Sequence, residues 1–489
     1  MAHPKLLRAL GVVSIASGAL LLAGALPAFA NPGLTASGTG SVMSAAPSLV
    51  NPPDDNPLGV AVANGTTYVS NTATHSVDMY NASGAFVSAI ALASVASPSP
   101  FPEAIAASSD GSHLYVVDGN ASGSVFVIST ASNTLIHTFP VVGEPFTIAL
   151  SPDDATFYVI SNNDALVYAY ATSDGSSVGH STTDGLYETA FHVMASADGT
   201  KVYETMRDPV PPLMTGGLRI LNASDLSEIG HVDLYSASGL GQSLDGSQVW
   251  VGSTQPSSES VIAEYDPSGT YTGRSVAVDS EPENFIVSPD GKSIYAATRG
   301  TGEIDYVDTA SFNSSSTGLA SGDGDGLAIS ADGLRLYSTN ASGEEVKVIS
   351  IARLTLTSPA SVTPGTGATT FSAQITDGTS PIADYTTNTV KFDVIDASNA
   401  VVATGTVNPD SSGAASASLD LSALPVGTYS VRATLDPVAG LVVVTAPGFK
   451  VSAAELAATG TDAALPTGLA ALMLLGGAAA LLLGRRRTA

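Results

Sequence analysis

The chain has 489 residues, 44% of them hydrophobic and 12% charged, with no cysteine and a formal net charge of −27. That length supports two or three packed domains. Without cysteine there can be no disulfide, thiol nucleophile or thiolate metal site. The acidic balance argues against nucleic acid or an anionic lipid surface as a partner.

In chain order, residues 1–30 read as a signal peptide. His3, Lys5 and Arg8 form a basic start, residues 10–26 are apolar, and Ala28-Phe29-Ala30 is a small-x-small cleavage pattern. Cleavage after Ala30 leaves Asn31 as the first mature residue, and residues 31–40 read as a linker.

Residues 41–352 carry an internal repeat of short β-rich runs separated by turns. An aromatic stands five residues after an Asp in Asp110…Tyr115, Asp153…Tyr158, Asp198…Tyr203, Asp245…Trp250, Asp290…Tyr295 and Asp332…Tyr337. Tyr68 opens the series behind an Asn64-Gly65 turn. A period of about 45 residues with four strands per unit predicts a β-propeller, here of seven blades. Blade two predicts strands at 104–107, 114–118, 124–129 and 134–141. Two repeats, SPDGKSIYAAT at 288–298 and SSDGSHLYVVD at 108–118, resemble the YVTN type, and the resemblance implies the fold without an activity. Blade seven lacks an outer strand of its own, so residues 41–49 are expected to pair there and latch the ring.

From 353 to 453 the period is lost. Alternating runs at 354–357, 370–376, 390–395, 401–407, 415–421, 428–435 and 441–450 predict a sandwich of immunoglobulin-like type. The run LPVGTYSVRATL at 424–435 resembles the late strand of bacterial Ig-like surface modules, which implies a stalk. The expected fold class is therefore all-β, a seven-bladed propeller followed by an Ig-like sandwich, between a signal peptide and a C-terminal transmembrane helix.

Residues 454–489 form the most informative end. Residues 465–484 carry no charge, enough to cross a hydrocarbon core of about 30 Å, and Arg485-Arg486-Arg487 follows. Upstream lies Leu456-Ala457-Ala458-Thr459-Gly460. Pentapeptide, spacer, span and Arg tail in this order resemble the sorting signal of wall-anchored proteins, in the LAxTG variant of class E sortase substrates. That resemblance implies sortase and peptidoglycan as partners, cleavage between Thr459 and Gly460, and a membrane-held precursor on a Gram-positive, actinobacterial-type cell. Leu465-Pro466-Thr467-Gly468 ranks second as a sorting motif.

Motifs for chemistry are sparse. Gly175-Ser176-Ser177-Val178-Gly179 matches GxSxG beside His180, but in a Ser/Gly-rich loop where a nucleophile elbow needs a strand before and a helix after. The seven histidines form no HExxH. Asp323-Gly324-Asp325-Gly326 resembles a calcium loop, but Leu327 stands where a third oxygen ligand belongs, so it reads as a tight turn. The sequons at Asn64, Asn81, Asn120, Asn222, Asn313 and Asn340 read as turn formers.

One constellation stands out. Aligned on the turn Asp, Glu103, Glu283 and Asp325 share a position at the start of the innermost strand. Phe146, Phe191 and Ser238 hold it in other blades, and His192 and Asn284 follow one place later. Calcium-dependent propeller lactonases resemble this in placing carboxylates and an Asn at the channel mouth. That resemblance implies Glu103, Glu283 and Asp325 as candidate metal ligands and calcium as the candidate ion. Blade four also carries an insertion, residues 207–217, where a ligand could dock. The leading expectation is a non-enzymatic head that binds an unidentified extracellular ligand. Its rival is a surface-tethered hydrolase using a channel metal.

Overall fold

A computed structural model describes residues 36–50, 56–92, 99–182, 189–207, 216–255, 259–322, 324, 326–358, 361–362, 368–376, 389–398, 400–436 and 442–451. Its smallest recurring unit is the turn that the repeat announces. Ser108 Oγ donates to Asp110 Oδ1 at 2.7 Å and accepts the His113 N–H at 3.0 Å, while Asp110 Oδ1 accepts the Ser112 N–H at 2.8 Å. Gly111 takes φ +68° between them, a value that glycine alone adopts freely. The same Ser–Asp bond closes the turns at Ser151, Ser196, Ser243, Ser288 and Ser330. Because their carboxylates accept several hydroxyl and main-chain N–H groups, Asp110, Asp198 and Asp245 are held down at about 2.

Each turn joins the first two strands of an antiparallel sheet, four-stranded except at Ser330, whose sheet has six strands. Sheet one runs Pro57–Ala63, Thr66–Asn71, Ser76–Tyr80 and Phe86–Ala91. Sheet two is Pro102–Ala107, His113–Asp118, Ser124–Ser129 and Thr134–Pro140, within two residues of the expected runs. Sheets three to six begin at Pro145–Leu150, Thr189–Ala195, Ala237–Gln242 and Pro282–Val287 and repeat the pattern. Sheet seven starts with Leu327–Ile329, Arg335–Asn340 and Glu345–Ser358.

The first strands of these sheets adjoin in a closed cycle, each touching the next and Leu327–Ile329 returning to Pro57–Ala63. Each joint holds a buried apolar cluster drawn from the two sheets it separates. The landmark aromatics explain themselves here. Tyr68, Tyr115, Tyr158, Tyr203, Trp250, Tyr295 and Tyr337 are all buried, and each enters the cluster shared with the following sheet. Each such ring contributes on the order of 1.5–3 kcal/mol through burial.

Glu345–Ser358 does not stop at the edge of the ring. Its first half pairs with Arg335–Asn340, and its second half pairs with Ala368–Thr376, which pairs in turn with Ala414–Asp420. A second sheet, ordered Ser361–Val362, Val442–Val451, Gly427–Asp436, Thr389–Ile395 and Val401–Val407, supplies the other half of one core. Leu354, Leu356, Phe371, Phe392, Val394, Val431 and Leu435 meet there.

The expected latch is present and longer than the sequence reading. Ala36–Val50 pairs antiparallel with Glu345–Ser358 from Val50↔Glu345 to Ala36↔Ser358. Residues 36–40, read as linker, therefore pair beside Leu354–Ser358, because a continuous partner strand leaves backbone donors and acceptors to be met along its whole length. Leu49 fixes one end by burying its side chain with Val60, Tyr80 and Tyr337.

The cleavage pair Ala30 and Asn31, the sorting residues Leu456, Ala457, Ala458, Thr459 and Gly460, and insertion residues 208–215 lie outside the described residues. Among the described residues no helix is long and apolar enough to cross a membrane.

Candidate functional site at the channel mouth

The inner strands share an irregularity that the sequence did not announce. In sheet two, Pro102 opposes Asp118 but Ile105 opposes Val116. In sheet three, Pro145 opposes Ser161 and Thr147 opposes Ile160. Sheets one, four, five and six slip at the same place, between Pro57 and Val60, Ala190 and His192, Ala237 and Leu240, and Pro282 and Asn284. Each slip is a β-bulge, which re-aims the side chain it carries. Glu103, Phe146, Phe191 and Glu283 all sit on such bulges, which is why one repeat position collects residues of such different chemistry.

Hydroxyls on the second strands tie the bulges together. Ser70 Oγ accepts the Gly59 N–H at 2.7 Å and donates to the Glu103 carbonyl of the next sheet. Thr205 Oγ1 accepts the His192 N–H at 3.2 Å and donates to the Ser238 carbonyl at 2.7 Å. Thr339 Oγ1 does the same between Gly326, at 2.7 Å, and the Leu58 carbonyl, at 2.9 Å. Main-chain groups freed by the bulges are thus paired rather than left bare.

The strands enclose a cavity of about 470 Å³. Glu103, Phe146, Phe191, His192, Glu283 and Asn284 line it, as their aligned position led one to expect. Ser238 does not; its hydroxyl donates to the Pro282 carbonyl at 2.9 Å and is fully buried against sheet six. No Lys or Arg is among the lining residues.

Beside the cavity stands Arg207, which the sequence reading placed at the start of the insertion and which is instead the last residue of the sheet-four strand Lys201–Arg207, paired with Thr189. Its guanidinium carbon lies 3.6 Å from the centre of the Phe191 ring, and its Nη2 lies 2.8 Å from Glu281 Oε1 and 3.7 Å from Glu283 Oε1. Arg299 Nη1 holds the same Glu283 oxygen at 3.2 Å. His192 Nε2 is 2.9 Å from the Glu283 carbonyl oxygen, so this nitrogen carries the proton and Nδ1 is the acceptor. Burial, helped by the nearby Arg207 charge, pulls His192 down to about 4, and the ring is neutral at pH 7.

Among the described residues the carboxylates do not gather as a metal centre. Glu283 is matched by two guanidinium groups, which do the neutralising a cation would do. The Glu103 carboxylate is seated against Gly119 at the end of its own sheet's second strand, where a Cβ would come within 2.6 Å of Oε1. Asp325, like Asp323, lies outside the described residues. Among the described residues no group of three His, Asp or Glu side chains is placed to share an ion. Ser177 of the GxSxG match opens the exposed outer strand Ser177–His180 of sheet three, with no helix behind it among the described residues.

No protein-family model matches the chain, so the YVTN resemblance rests on the quoted residues alone. No curated protein matches it either. Among solved structures it is similar to a chain of Kuenenia stuttgartiensis hydrazine synthase, with a TM-score of 0.52 and 18% identity over 62% of this chain and 97% of that one. It is also similar to a chain of a mitotic checkpoint complex, at a TM-score of 0.48 and 16% identity over 68% and 98%. The first likeness shows a propeller-type fold and nothing of activity.

Proposed function

We propose that the chain is an exported surface protein whose seven-bladed head binds an extracellular ligand at the channel mouth, displayed on an Ig-like stalk anchored to the wall by sortase. The observation that carries this reading is the cavity of about 470 Å³, which draws its lining from every sheet of the ring. Its volume falls in the range of about 300–1,000 Å³ typical of ligand sites, and it mixes apolar walls with a few polar groups. The closed cycle of inner strands supports seven blades. Two sheets facing across one core support the sandwich. Anchoring is supported by the ordered pentapeptide, span and Arg tail.

The test is a screen of the full chain against immobilised glycans, matrix proteins and envelope polymers, repeated with Glu103→Gln and Phe191→Ala. A hit that weakens at least tenfold in both variants supports the channel. A hit that both retain unchanged moves the site elsewhere.

A further inference from the structure

Resting on that reading, we infer that the channel takes the basic end of its ligand, an ammonium or guanidinium group, and that Arg207 occupies the entrance in cis and must swing aside. Every ionisable residue lining the cavity is an acid or a neutral acceptor. Glu103 and Glu283 supply carboxylates, and the neutral His192 ring keeps Nδ1, which has no hydrogen-bond partner among the described residues, as an acceptor. With Glu283 already matched by Arg207 and Arg299, an anion would meet the Glu103 carboxylate and the field of a chain carrying −27. A cation is drawn by both.

The rim already shows how such a group is held. The guanidinium of Arg207 stacks on Phe191 at 3.6 Å and lies beside Glu281 and Glu283, an aromatic-and-acid seat filled by the chain's own side chain. That seat fits Arg207 poorly. Its Nε and Nη2 are shut away from water without a well-aligned hydrogen bond, although Nη2 is close to the Glu281 oxygen. Unmet donors of this kind favour vacating the seat. When Arg207 leaves, Glu283 keeps Arg299, and the Phe191 face and the Glu281 carboxylate are released to the incoming cation.

The experiment titrates methylguanidinium, propylammonium, acetate and propanol into the full chain carrying ¹³C-methyl methionine. Met194 lines the cavity, and Met79, buried in the core between sheets one and two, is the control. The two cations are expected to shift the Met194 methyl signal and leave Met79 in place. Affinity should rise at least fivefold in Arg207→Ala and fall at least fivefold in Glu103→Gln. Arg207→Lys, with a more compact charge, serves if Arg207→Ala does not fold, and should bind methylguanidinium more tightly than wild type. A Met194 response to acetate or propanol but not to the cations overturns the ligand class and leaves the channel reading standing. An affinity unchanged or lowered in Arg207→Ala, or in Arg207→Lys when that variant stands in, overturns the in-cis occupant. No Met194 shift with any probe overturns the inference, while the channel variants in the partner screen decide the channel reading independently.

Discussion

His192 on sheet four and Glu283 on sheet six, two sheets whose first strands both adjoin that of sheet five, are joined at the channel mouth by a 2.9 Å hydrogen bond from Nε2 to the Glu283 main-chain oxygen. The contact couples a titratable ring to the bulge that carries Glu283. A proton added at Nδ1 would place a further cation beside Arg207 and Arg299, and burial already opposes that charge.

This sets a pH dependence with a definite sign. His192 titrates at about 4 in the fold and near its ordinary 6.5 when unfolded, so the unfolded chain binds more protons between those values. Stability is fully present above about pH 6.5 and declines as pH falls towards 4. Relative to His192→Gln, wild type should lose on the order of 1–2 kcal/mol more between pH 7 and pH 5 in urea titrations. Parallel losses in both proteins would remove His192 as the cause.

Deleting residues 36–50 should uncover the full length of Glu345–Ser358 and remove Leu49 from the joint between sheets seven and one. The expected result is a melting temperature lower by several degrees and new concentration-dependent association, since a bare strand edge recruits other strands. Calorimetry and light scattering check it; an unchanged melt without association counts against the latch.

Trp250 is the chain's only tryptophan and is fully buried in the joint between sheets five and six, its Nε1 donating to Glu264 Oε2 at 3.3 Å. Trp250→Ala should cost about 3–5 kcal/mol in denaturant unfolding and leave the Glu264 carboxylate with Arg274 and Thr272. A loss below 1 kcal/mol would mean that the landmark aromatics do not seal the joints.

Thr459→Ala tests the proposed anchor. The variant should leave the muramidase-released wall fraction and collect in the membrane or medium, whereas wild type should give a ladder of wall-linked species. The same ladder from both proteins would end the sortase reading.

What the sequence determined by itself is what is encoded within a few residues. The Ser-x-Asp-Gly turns, the aromatic five places on and the alternation of 390–395 and 401–407 were all legible, because one turn or one strand suffices to express them. The repeat even led to the channel, since Glu103, Phe146, Phe191 and Glu283 hold the same repeat position in four of the copies. Tertiary structure alone decided what those residues meet. The bulges that turn them inward depend on cross-strand register, and Arg207 reaches Glu281 and Glu283 from more than 70 positions away in sequence. The pairing of Ala36–Gly40 with Leu354–Ser358 is likewise a matter of a free edge elsewhere in the fold. Local sequence records the conformation a segment prefers; which distant charge neutralises it, and which open edge it covers, is settled only when the ring closes.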